Sequence, residues 1–266
     1  MDSNDKILAV VNSKGGVGKT TTAVNMAAGL AARGQHALLI DADFQANASR
    51  HLLSGRPAKS LYESLMDESI PLPRIAINEN LDLIPADNQK MFGIGFELTT
   101  RAVEKAHRGI HYQDPRGILL RCLVPIAGEY DSVIIDCPPS DNLLALNALF
   151  VTDEVLIPVT PEPFSIYGAM TYLNVLKRML ANVKIAPRVN GFLITNYMTG
   201  AAGHIRCEEL LREHAQDLVY KTRIRHSRPI YNAALARKDI FRYAPDSNGA
   251  IDYDNFIDEF LKKKQQ

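Results

Sequence analysis

The chain has 266 residues, 46% hydrophobic and 23% charged, with a formal net charge of zero. These are values of a globular protein with a sizeable core, and they exclude strong global attraction to nucleic acid, so any such binding needs a local basic patch. Cys122, Cys137 and Cys207 are odd in number and widely spaced, which points to a reducing compartment and away from a disulfide frame or a clustered metal site.

The opening residues MDSNDKILAVVN carry no basic-then-apolar signal pattern, and the longest apolar runs are strand-sized, so a cytoplasmic protein is expected. Short apolar, β-branched runs alternate with helical patterns. Residues 6–12 (KILAVVN) read as the first strand, followed by a glycine-rich turn and a helix over 20–34 that ends at Gly34. Residues 36–42 (HALLIDA) give the next strand. SLYESLMD (60–67) reads as a helix opened by Ser60 and Glu63 at capping-box spacing. Further strands are expected at 81–86, 130–137, 154–160, 189–196 and 218–224, and amphipathic helices at 164–180 and 251–264. The stretch 91–128 is the least readable; GIGFEL within it is a fragment of a dinucleotide motif with no strand leading into it. Several strands are apolar on both sides of the pleat, as in a parallel sheet covered on both faces. The expectation is an α/β fold. It is a doubly wound, mostly parallel twisted sheet of about seven to eight strands flanked by helices. All of 1–266 is expected to form a single domain.

The turn VNSKGGVGKTTT departs from the pattern G-x-x-x-x-G-K-[ST], because Ser13 stands where a glycine is wanted and Lys14 adds a second lysine. Strand, glycine-rich turn and helix still form the context a phosphate loop requires. Glycines let successive N–H groups curl around phosphate oxygens, and the helix N-terminus adds partial positive charge. Lys19 would reach the β- and γ-phosphates and Thr20 would offer its hydroxyl to Mg²⁺. Asp136, ending the apolar strand SVIID at the carboxyl edge of the sheet, fits the Walker-B role of holding the Mg²⁺ shell. IDADFQAN places Asp41 and Asp43 one residue apart at another strand end, on opposite sides of the pleat. At most one of them is expected to face a γ-phosphate; the other would cap a helix or sit in a solvated turn.

The segments KGGVGKTTTAVNMAAGLAARG, ALLIDADFQANAS, LDLIPA, YDSVIIDCPPSDNLLALNAL and VLIPVTPEPFSIYGA resemble, in order and spacing, the ParA/Soj partition ATPases. These belong to the deviant-Walker-A (MinD/ParA, SIMIBI-class) P-loop ATPases, and the resemblance runs from about residue 6 to residue 260. It implies an Mg²⁺-dependent ATPase. Its ATP contacts would come from Lys14, Gly15, Gly16, Val17, Gly18, Lys19, Thr20 and Thr21, with Asn196 beside adenine. Lys14 corresponds to the signature lysine that reaches the partner's ATP across a homodimer. Its other reading is a solvent-exposed lysine on a loop rim. Asp43 corresponds to the carboxylate that positions the attacking water and lies by the metal. Asp136 corresponds to the Walker-B aspartate. Phe44 stands where the family usually has proline, which puts the geometry of the loop holding Asp43 in question.

The resemblance also implies non-specific DNA binding in the ATP state, nucleoid association and a ParB-like or cargo adaptor. From Val219 to Arg242 seven basic residues face one acid, Asp239. Lys221, Arg223 and Arg225 alternate on one strand face, and Arg228 follows; these four are the DNA-contact candidates. Three phosphate contacts would give a salt slope of about −2.7. A solvated basic edge is the plainer reading of the same residues. No room precedes the first strand for a helix-turn-helix, so site-specific DNA binding is not expected. A MinD-like membrane switch is the alternative. Against it, the tail helix carries Asp252, Asp254, Asp258 and Glu259 beside its apolar residues, which oppose anionic lipid. A nitrogenase-iron-protein-like reductase would need a second cysteine near Cys137, and none is near in sequence.

Overall fold

The computed structural model describes residues 6–108, 114–139, 143–181 and 187–264. The first half of the chain forms β1 (Ile7–Val10), α1 (Lys19–Ala32), β2 (Ala37–Asp41), α2 (Asn47–Leu52), α3 (Leu61–Met66), β3 (Ile75–Asn78), β4 (Leu81–Ile84), α4 (Asn88–Met91), α5 (Ile94–His107), α6 (Ile118–Ala127) and β5 (Ser132–Asp136). The second half forms α7 (Leu143–Phe150), β6 (Glu154–Val159), α8 (Pro163–Ala181), β7 (Arg188–Tyr197), α9 (Ala202–Ala215), β8 (Val219–Arg225), α10 (Arg228–Leu235), α11 (Ile240–Tyr243) and α12 (Asn248–Lys264). The eight strands make one sheet in the order β3-β4-β2-β5-β1-β6-β7-β8. Every pair is parallel except β3 with β4. Residues 140–142 of the quoted segment 130–149, and residues 1–5 at the chain start, lie outside the described residues.

The central strands are buried on both faces because their residues alternate between two apolar layers. Ala9, Leu38, Ile40, Val133, Ile135, Val155 and Ile157 join one cluster with α3, α5, α6, α7 and α8. Leu8, Val10, Ala37, Leu39, Ile134 and Leu156 join the other with α1 and α12. This is the two-sided burial that parallel sheets require. The crossover helix α1 carries the chain from β1 over β5 to β2, so β1, β5 and β2 end side by side at one edge. Ligands bind at that carboxyl edge in open α/β sheets.

The capping box at Ser60 and Glu63 forms, and its ion pair with Lys90 helps to hold the Glu63 carboxyl down at about 2, against burial, which acts the other way. GIGFEL lies at the start of the helix Ile94–His107 and forms no nucleotide turn. The tail helix α12 buries Tyr253, Phe256, Ile257 and Phe260 against α1 and β8, and its acids turn to other work. Glu259 accepts the backbone N–H groups of Lys221 and Thr222, and Asp252 that of Arg225. These carboxylates occupy donors of the edge strand β8 that would otherwise template another strand. Among the described residues no helix is long and apolar enough to cross a membrane. Phe256→Ala is expected to cost about 3–5 kcal/mol in urea unfolding. A loss below about 1 kcal/mol would mean that α12 adds little to the core.

Candidate active site

The loop from Asn12 to Gly18 joins β1 to α1. Gly16 and Gly18 adopt φ of 76° and 84°, a region that costs any other residue energy, so the missing glycine at position 13 does not prevent the curl. Gly18 is the left-handed N-cap of α1, and no side chain caps that helix end. Its first N–H groups are therefore free to meet an anion. Two residues that sequence reasoning missed fix the loop. Asn12 is buried, donates to the Pro158 carbonyl at 2.8 Å and accepts the Lys14 N–H at 2.9 Å. The Thr195 hydroxyl donates to the Val17 carbonyl at 2.9 Å. The only sequence signal for either is a small polar residue at the end of an apolar strand.

Lys19 is 7% exposed and donates to the Lys14 carbonyl at 3.2 Å. Burial lowers its pKa, and the charges of Asp136 and Asp43 partly restore it. Thr20 and Thr21 lie half-buried in the first turn of α1, and Val17 is buried. Lys14 stands half-exposed on the loop rim, with its Nζ 2.7 Å from Glu162 Oε2 just before α8. An exposed pair of this kind contributes about 0–1 kcal/mol, so the lysine is released cheaply.

The two carboxylates of IDADFQAN divide their work. Asp41 Oδ2 accepts both the N–H and the hydroxyl of Ser49 at 2.7 Å, which ties β2 to the first turn of α2. Asp41 is thus the helix-capping member of the pair. Burial, with the charge of Asp43 nearby, holds its carboxyl up at about 6 despite the Ser49 hydrogen bonds. Asp43 is 4% exposed; its Oδ1 accepts the Gln45 N–H at 2.9 Å, and it lies close enough to Lys19 for their charges to interact. Burial raises its pKa, the Gln45 hydrogen bond and Lys19 opposing. Asp136 ends β5 with its Cα opposite Val10 of β1 on one side and Asp41 of β2 on the other. Its side chain is fully buried, and neither oxygen has a hydrogen-bond partner of normal geometry. Burial and the repulsion of Asp41 raise its pKa well above the usual range, while the adjacent Thr20 hydroxyl offsets part of the rise. A buried carboxylate left without partners is rare. Beside the Thr20 hydroxyl it fits one side of an Mg²⁺ shell, since Mg²⁺ takes one or two protein oxygens and completes its octahedron with water and phosphate. Among the described residues no group of three or more His, Cys, Asp or Glu forms a cage able to hold a metal alone.

Asn196 ends the same edge, next to Thr195, with φ of 54° and its Oδ1 2.7 Å from His226 Nδ1. His226, in the loop after β8, was not visible as a site residue from sequence. Cys137 is buried and its thiol is pushed far up by desolvation, which fits a packing residue.

Two of the four DNA-contact candidates have acidic partners in the structure. Arg223 pairs with the buried Glu208 of α9 at 2.7 Å and lies over the Tyr197 ring. Arg225 makes a bidentate contact with the buried Asp252 of α12, which raises its pKa further. Two of the seven bases are thus matched by acids from distant segments that a count along 219–242 leaves out. Lys221 and Arg228 are exposed and make no ion pair among the described residues.

A strand–loop–helix phosphate cradle carrying two lysines, with aspartates at the ends of the neighbouring parallel strands, defines a deviant-Walker-A P-loop NTPase. A family model described as an AAA domain matches residues 5–187. The sporulation initiation inhibitor protein Soj of Bacillus subtilis is 35% identical over 252 residues, covering 93% of this chain and 95% of its own. The chromosome partitioning protein ParA of Caulobacter vibrioides is 32% identical over 265 residues, covering 98% and 95%. Cobyrinic acid a,c-diamide synthase from Mycobacterium smegmatis, solved with bound ADP and magnesium, superposes with a TM-score of 0.80 at 25% identity, covering 99% and 96%. The chain belongs to the ParA/Soj family of P-loop ATPases.

Burial raises the folded pKa of Asp41, Asp43 and Asp136 above the unfolded value. The folded state then holds the extra protons, so this contribution to stability is full below about pH 4 and is lost as pH rises through the raised values. Asp136→Asn is expected to melt above the parent protein at about pH 7.5, with the gap closing near pH 4. An unchanged or lower melting temperature at the higher pH would contradict a destabilising charge at this position.

Proposed function

We propose that the chain is a dimerising DNA-partition ATPase that positions a plasmid, chromosome or protein cargo. The observation that supports this most is the gathering of Lys14, Lys19, Thr20, Asp43 and Asp136 around one phosphate-binding loop. Lys19 and the loop N–H groups would cradle the β- and γ-phosphates of ATP. Thr20 and Asp136 would hold Mg²⁺, which when bound neutralises phosphate charge. Asp43, buried and raised in pKa, would accept a proton from the attacking water or orient it. Asn196 with His226 would face the adenine.

Lys14 leaves Glu162 and enters the partner's site, where a cation on the transferred phosphoryl group stabilises developing charge. Hydrolysis then depends on dimerisation, and ATP becomes part of the interface. Slow turnover would be stimulated by a ParB-like or cargo adaptor. The MinD-like reading, in which the tail helix inserts into lipid, has less support, because Phe256, Ile257 and Phe260 are already buried against the body.

DNA binding in the ATP state would draw chiefly on Lys221 and Arg228, with Arg223 and Arg225 held back by Glu208 and Asp252. Two phosphate contacts imply a salt slope of about −1.8 in place of −2.7. Light scattering and DNA binding with ATP, ADP and no nucleotide test the cycle. Dimers and DNA affinity are expected with ATP alone, and equal affinity in all three states would sink the proposal. A slope of about −2.7 or steeper would mean that the arginines leave their acids to meet phosphate. Asp43→Ala is expected to retain ATP binding and to lose turnover by about 10²-fold or more. Unchanged turnover would pass the water-positioning role to another group.

A further inference from the structure

The loop that carries Asp43 is fixed at both ends. Asp41 binds Ser49, and the Asp43 N–H donates to Asp41 Oδ1 at 3.2 Å. At the far end the Ala46 N–H donates to the Asp43 carbonyl at 2.9 Å, and Ala46 adopts φ of 54°. A left-handed alanine persists only where its surroundings over-determine it. Between these ends Phe44, half-buried at the rim of the core, makes an edge-on ring contact with Phe92, centroids 6.4 Å apart at 71°.

Phe92 is 75% exposed, which is unfavourable for so large an apolar ring. Its backbone forms a tight turn. Met91 and Ile94 on either side are buried, and Phe92 and Gly93 take φ, ψ of −64°, 120° and φ of 82°, the values of a type II turn. Only glycine takes that second position without strain. The turn therefore holds an exposed ring where it can meet Phe44 and little else.

We propose that Phe92, through Phe44, is a positioning residue for Asp43. The ring contact would hold the Asp43 loop in register with the phosphate loop during hydrolysis. This rests on the reading of Asp43 as the water-positioning group.

The test measures kcat, KM for ATP and binding of a fluorescent ATP analogue for Phe92→Ala, Phe92→Tyr, Phe44→Ala, the Phe44→Ala/Phe92→Ala double variant and Asp43→Ala. Phe92 is exposed, so Phe92→Ala is expected to melt within about 5 °C of the parent protein. An aromatic pair of this geometry implies a fall in kcat of about two- to twelve-fold for Phe92→Ala with analogue affinity unchanged. Phe92→Tyr is expected to keep the parent rate, and the double variant to be no slower than the worse single one. Full kcat in Phe92→Ala, or additive losses in the double variant, overturns the proposal while Asp43→Ala remains inactive. Full turnover in Asp43→Ala overturns the reading of Asp43 itself, and the positioning role falls with it.

Discussion

Both oxygens of Asp136 lie in the interior without a hydrogen-bond partner of normal geometry, and Asp41, Asp43 and Lys19 are gathered close by. So much buried charge is unfavourable for an isolated fold. It is tolerated because β1, β2 and β5 are clamped between two apolar layers that bury nearly every strand residue. The sheet thus supports an electrostatic arrangement that destabilises it, a common trade between stability and function. A divalent cation has the positive charge that these carboxylates lack.

The two lysines of the loop differ in their surroundings. Lys19 is buried, desolvated and turned inward, so its charge belongs to its own loop. Lys14 is on the rim with an acid from the neighbouring loop as its companion. Asn12 sets the distinction by fixing the Lys14 backbone while leaving the side chain outside. On the proposed reading, one loop then serves two nucleotides, and the exchange of Glu162 for a partner's phosphate links assembly to chemistry.

Much of this was legible in the sequence. The strands β1, β2, β5 and β6 are continuous apolar runs ending in polar residues, and two-sided burial leaves that imprint. The Ser60–Glu63 box announced α3 through purely local chemistry. What escaped notice was non-local or weakly patterned. β3 is four residues long, alternates exposed and half-buried positions, and pairs only with β4 at the antiparallel edge. α6 carries Pro125 inside it, and α5 begins in a glycine-rich fragment that imitates a turn. The basic strand β8 looked unopposed because Glu208 and Asp252 reach it only through the packing of α9 and α12. Asp41 and Asp43 could not be told apart by spacing, because the Ser49 hydroxyl that binds Asp41 lies eight residues on.

The claim at the centre of this account is that Lys14 acts across a dimer. It is tested most directly by mixing two variants, Lys14→Ala and Asp43→Ala, each expected to be inactive alone. In a mixed dimer the Lys14→Ala protomer keeps its own Asp43 and receives Lys14 from its partner. Random pairing puts one complete site in half of the dimers, so about a quarter of parental turnover is expected on mixing. A mixture as inactive as its components would contradict the account and leave Lys14 serving its own site.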